Sequence, residues 1–129
     1  MKYFWSFIFC LSFAWGSAQE QTSDYQKNYY DTGELQSEGL FVKGQQQGLW
    51  IYYFRDGKKR IEKEMKDGKP HGKSLWFHPN GTLGWEENYK DGQAEGSFIY
   101  YDRDGSVQAI KEFREGKEVS YTVKGILQR

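Results

Sequence analysis

Three glutamates, Glu38, Glu62 and Glu86, recur at intervals of 24 residues, with Glu64 and Glu87 beside them. Paired carboxylates do acid–base work in glycoside hydrolysis when they stand roughly 5–9.5 Å apart. If each sits on an equivalent strand with one strand between, neighbours stand about 10 Å apart. That is too far for a catalytic pair, so the ladder is expected to be a solvated polar face. His71 and His78 are the only histidines and flank one strand at opposite turns. A metal centre needs further ligands, so both are expected at the surface. Ser97 and Ser106 follow Gly96 and Gly105 as turn residues and lie in no nucleophile-elbow context. The Asp-Gly turns lack the calcium-loop spacing. The expectation is a protein that is not an enzyme, with no catalytic residues, no cofactor and no metal.

The aromatic residues are more suggestive. Tyr52, Trp76 and Tyr100 form one column, flanked by Trp50 and Phe98 in another. Such rings offer large contact area at low entropy cost, and sugars or partner proteins dock on them. These five are the candidate binding residues. The same rings can instead pack on each other and shield a face.

What must position them is a repeat. Gly33, Gly57, Gly81 and Gly105 are 24 residues apart, as are Gly44, Gly68, Gly92 and Gly116. Gly48, Gly72 and Gly96 form a third series that breaks at Ser120. Each unit reads as two strands and two turns. In the second unit, Leu49 to Phe54 and Arg60 to Met65 are the strands. Arg55-Asp56-Gly57 is a three-residue hairpin loop with a glycine bulge, and Pro79-Asn80-Gly81 is its equivalent. The fold class is all-β: a single elongated antiparallel meander of about four tandem 24-residue β-hairpins. Strict alternation places Ile51, Leu75 and Ile99 on one apolar face with Tyr53, Phe77 and Tyr101. Leu35, Leu83 and Val107 join them, as do Ile61, Trp85 and Ala109, and Phe41, Met65, Tyr89 and Phe113. The glutamates and the five candidate aromatics fall on the opposite face. Val123 continues the Ile51 column, in a closing strand (Tyr121 to Lys124) whose charge discourages edge pairing.

The N-terminus reads as a targeting segment. Lys2 precedes a charge-free apolar run from Tyr3 to Trp15, and Gly16-Ser17-Ala18 ends in a small residue. That is the layout of a secretory signal peptide, cleaved after Ala18. The expected organisation is signal peptide 1–18, disordered leader 19–24, repeat domain 25–124 and tail 125–129. Cys10 would leave with the signal. Removing Lys2 leaves 17 basic against 18 acidic residues. Neither nucleic acid nor anionic lipid is implied by such a balance.

The run Tyr-Tyr-Asp-x-Gly-x-Leu-x-Ser-Glu-Gly-x-Phe-x-x-Gly-x-x-x-Gly-Leu-Trp from Tyr29 to Trp50 resembles the MORN repeat in its bacterial variant form. It recurs from Tyr53, Phe77 and Tyr101. The resemblance implies an elongated β-hairpin sheet and no catalytic residues. It also implies a role in scaffolding, membrane association or, in bacteria, as the antitoxin of a toxin–antitoxin pair. The export signal and the near-neutral charge argue against the last two. The expected function is an exported interaction or scaffold module of the bacterial envelope, with an envelope protein or a glycan as partner. N-terminal sequencing of the chain recovered from the envelope or medium should read Gln19 onward. Recovery of an intact Met1 from the cytoplasm would refute the export reading.

Overall fold

A computed structural model describes residues 23–125. The signal-peptide segment, residues 19–22 and residues 126–129 lie outside the described residues. Ten strands follow one another: β1 (Ser23–Tyr29), β2 (Leu35–Val42), β3 (Gln45–Tyr53), β4 (Lys59–Lys66), β5 (Lys69–Phe77), β6 (Leu83–Lys90), β7 (Gln93–Ala94), β8 (Gly96–Tyr101), β9 (Val107–Arg114) and β10 (Lys117–Val123). They form one antiparallel meander in which neighbours in sequence are neighbours in space, with the two-residue β7 pairing β6 alone. Ser23 and Asp24, expected in the leader, instead pair with Val42 and Phe41.

The two turn types alternate. In the first, the Gly57 amide donates to Phe54 O and the Phe54 amide to Lys58 O. This closes the expected three-residue loop, with Gly57 at φ 83°. The same bonds recur at Tyr30–Glu34, His78–Thr82 and Asp102–Ser106. Asp56, Asn80 and Asp104 each accept the amide two residues on, which is why Asp or Asn precedes the glycine. The second turn is a two-residue loop, as at Asp67-Gly68, where both residues have positive φ (51° and 75°). That is the type I′ geometry matched to strand twist. All eleven periodic glycines have positive φ.

The expected face assignment is overturned by one residue. Tyr53 pairs Lys59, but Tyr52 pairs Ile61, leaving Arg60 as a bulge in β4. Gln36, Gly84 and Gln108 are bulged in the same way. A single extra residue sends every later side chain of that strand to the other face. One row therefore runs Ser37–Tyr52–Ile61–Trp76–Trp85–Tyr100–Ala109 across the sheet. The other runs Glu38–Ile51–Glu62–Leu75–Glu86–Ile99–Ile110. Ile61, Trp85 and Ala109 share a face with Tyr52, Trp76 and Tyr100, whereas Ile51, Leu75 and Ile99 interleave with the glutamates.

A second departure occurs at β10. Across β4 and β5, the register advances by two residues between Met65–Pro70 and Lys63–Ser74, with Gly72 in this bulge at φ 103°. At β9–β10, where Ser120 replaces the glycine, the bulge holds one extra residue. The parity flips, and Val123 pairs Ala109 on the aromatic face rather than joining Ile51.

The core lies on the aromatic face: Trp50, Ile61, Met65, Phe98 and Ala109 are its buried apolar residues. Trp50, 1% exposed, lies flat over Gly39. Its indole N–H donates to Leu40 O at 3.0 Å, and Phe41 meets the ring edge-on at 5.1 Å. A Cβ on Gly39 would sit 2.4 Å from two Trp50 ring carbons. Gly39→Ala should therefore destabilise the sheet by about 1–3 kcal/mol, as overpacked core positions do. Thermal denaturation checks this, and an unchanged midpoint would contradict the contact.

Candidate binding surface

The five candidate residues divide. Trp50 and Phe98 are buried, at 1% and 6% exposure, and cannot meet a partner: they are core. Phe98 packs between Tyr89 (5.4 Å) and Phe113 (4.4 Å). Tyr52, Trp76 and Tyr100 are half-exposed and stand in the row described above. Trp76 stacks on Trp85 at 5.2 Å with planes 17° apart. Trp85, which strict alternation places on the opposite face, is brought to this one by the Gly84 bulge.

Two lysines and two glutamates lie on this face. Lys63 stands 5.2 Å from the centre of the Trp76 ring and 5.8 Å from that of Tyr52. Glu87 accepts from the Trp76 indole N–H and from the Tyr89 hydroxyl, both at 3.0 Å. Burial and the Glu87 charge push the Tyr89 hydroxyl up to about 12. Lys111 stands 5.2 Å from the Tyr121 ring and pairs with Glu118. The surface is aromatic, locally cationic and held by its own hydrogen bonds.

The glutamate face is not simply solvated. Side-chain exposure is only 16% for Glu38, 19% for Glu62 and 15% for Glu86. Tyr53 donates to Glu38 at 2.6 Å and Tyr101 to Glu86 at 2.5 Å. Phe77 occupies the equivalent position for Glu62 and has no hydroxyl to give; Glu62 pairs with Lys59 instead. Each carboxylate is thus fixed by a neighbour's side chain.

His71 serves the turn row. Its Nδ1 lies 3.2 Å from the Asp91 amide and 3.1 Å from Asp91 Oδ1. The equivalent positions hold Gln47 Oε1 and Glu95 Oε2, which accept the amides of Asp67 and Glu115. Nδ1 can accept from the Asp91 amide as those oxygens do, whereas its contact with Asp91 Oδ1 needs a proton on Nδ1. Among the described residues no group of three or more His, Cys, Asp or Glu is placed to hold a metal.

His78 departs from the surface expectation. It is half-buried, and its Nε2 is buried without a hydrogen-bond partner. The ring lies over Gly84, where a Cβ would approach Nε2 to 3.0 Å. It lines a hollow of about 430 Å³ with Phe54, Arg60, Trp76, Pro79 and Trp85. Periodicity alone hid this hollow, because His78 and Gly84 are departures from the repeat. The His78 column holds Tyr30, Phe54 and Asp102, and the Gly84 column holds Gln36, Arg60 and Gln108.

A family model described as MORN repeat variant matches residues 25–43, 46–67 and 70–91. The chain belongs to the MORN repeat variant family. Among curated proteins, none matches it. The MORN architecture continues past the matched segments: the hairpin at Asp102–Ser106 and the Glu115-Gly116 turn repeat the same geometry. A tandem MORN sheet of this kind is suited to binding.

The tyrosine–glutamate bonds of the MORN sheet make its stability depend on pH. The Tyr101 hydrogen bond holds Glu86 below its ordinary 4.5. A depressed carboxyl contributes stability above that value, and the contribution is lost as pH falls through the folded value. The same bond, with burial, raises Tyr101 to about 12, so its contribution is full below 10 and lost as pH rises toward 12. Tyr101→Phe should cost on the order of 1 kcal/mol at neutral pH, discounted for partial solvent access. It should also flatten the fall in melting temperature below pH 4.5. An acid limb unchanged in the variant would contradict the linkage.

Proposed function

We propose that this protein is an exported, non-catalytic MORN-type repeat module that binds another protein in the bacterial cell envelope. The observation that carries the reading is the aromatic face. Its half-exposed row of Tyr52, Trp76, Trp85 and Tyr100 runs across five adjacent strands, with Ile61 between the first two rings. Rings fixed on a sheet lose little entropy on binding, and aromatic anchors dominate binding energy at protein interfaces. Lys63 adds a cation between two of them, so a partner patch carrying carboxylates among apolar side chains fits. The apolar leader supports export. Scaffolding follows from the same geometry, because successive repeats present equivalent positions about 10 Å apart.

A second reading, glycan binding, is favoured by one observation. Trp76 and Trp85 stack nearly parallel, which leaves a flat indole surface of the kind sugars lie on.

Affinity capture from envelope extract separates the two. The baits are residues 19–129 and the Trp76→Ala/Tyr100→Ala variant, checked for folding by circular dichroism. One protein retained by the first and lost by the second is the expected result. Equal retention by both, or none by either, would overturn protein docking on this face. Saturable change in tryptophan fluorescence with cell-wall glycans would then support the second reading.

A further inference from the structure

We infer that the hollow at the His78 turn is a binding site for a carboxylate borne on an apolar body. Three observations meet there. The hollow is an open concavity of about 430 Å³, within the range of small-ligand sites. Its walls are aromatic: the Trp76–Trp85 stack, Phe54 and Pro79. Two nitrogen atoms in those walls, Arg60 Nε and His78 Nε2, are buried with no hydrogen-bond partner. Buried polar atoms are nearly always paired, and leaving a charged donor unpaired is costly.

The charge points the same way. Among the described residues Arg60 forms no ion pair with any carboxylate. Arginine's planar fork matches a carboxylate in two-point contact. Arg103, on the far side of His78 and Pro79 in an adjoining hollow, also lacks an ion pair. An acid group held by Arg60, with its apolar body against Trp76 and Trp85, pairs the guanidinium and covers the rings. A neutral sugar leaves the guanidinium charge uncompensated.

The site also coincides with the repeat's own irregularity. Arg60 is the bulged residue of β4, where other repeats carry Gln36, Gly84 and Gln108. At Gly84 the missing side chain makes room for the His78 ring. The meander needs neither Arg60 nor His78, since the other hairpins form without them.

The test titrates the chain, as processed by its host, with N-acetyl-phenylalanine and with its amide. Tryptophan fluorescence and the Trp76 and Trp85 indole resonances report binding. Saturable binding of the acid, at least tenfold tighter than the amide, is expected. Arg60→Gln should abolish that preference without unfolding the sheet, because glutamine is what two other repeats carry at this position. Arg60→Lys should keep part of it. Tighter binding of a short peptide ending in free phenylalanine would identify a chain terminus as the source of the acid; weaker binding would identify a small free acid. Equal binding of acid and amide, no binding of either, or an acid preference that survives in Arg60→Gln would overturn the site. A partner captured equally by wild type and Arg60→Gln would then leave protein docking standing without it.

Discussion

The structure depends on one extra residue per hairpin. Gln36, Arg60, Gly84 and Gln108 are each bulged where the second strand leaves its turn. Without that residue, the aromatic row of each first strand would face the glutamates of the next. With it, Ile61 comes beneath Tyr52 and Trp76, and Ala109 beneath Tyr100. A sheet with no second layer must bury apolar surface among its own side chains, so this choice of face decides whether there is a core. Small residues then make the burial possible. Gly39 lets the Trp50 ring lie on the backbone, and buried Ser74 occupies the column in which Trp50 and Phe98 stand one repeat away on either side.

Cohesion between repeats comes from the turns as well as the rings. The amides of Gly68, Gly92 and Gly116 donate back one repeat to the carbonyls of Gln46, Pro70 and Ala94. The preceding residues, Asp67, Asp91 and Glu115, donate to side chains at Gln47, His71 and Glu95. Along the opposite turn row, Arg55 pairs with Asp31 and lies over the Tyr30 ring, and Lys58 reaches Pro79 O. Each hairpin is thus laced to its neighbour at both ends. Stability in such an array is shared between adjacent units, and the terminal strands, with one neighbour each, leave Tyr25, Tyr29, Val119 and Tyr121 exposed.

The period, the strands and both turn positions are legible in the sequence because glycines at positive φ mark them. The faces are not. Alternation gives the parity within a strand, but Leu35 to Ser37, like Lys59 to Ile61, crosses a bulge that no residue type announces: Gln, Arg, Gly and Gln occupy it in turn. That is why Trp50 and Phe98 read as binding residues and prove to be core. Val123 changes face for the related reason that Ser120 replaces a glycine, which shortens the last bulge. The split of the aromatic columns into buried and half-exposed members follows from neighbouring side-chain volumes, which a period cannot supply.

A repeat constrains most of its positions to serve the array, so positions that break the period are free to do something else. Phe77 breaks it by omission: it lacks the hydroxyl that Tyr53 and Tyr101 give to a glutamate, and Lys59 supplies the partner. That departure is compensated inside the sheet. His78 and Arg60 break it differently, because each keeps a buried side-chain nitrogen without a partner. An uncompensated departure lowers stability with no return to the fold, and an array that could carry glutamine and phenylalanine there has no structural reason to carry arginine and histidine. The physical asymmetry between these two departures is what separates a tolerated variation in a MORN sheet from a position shaped by a ligand.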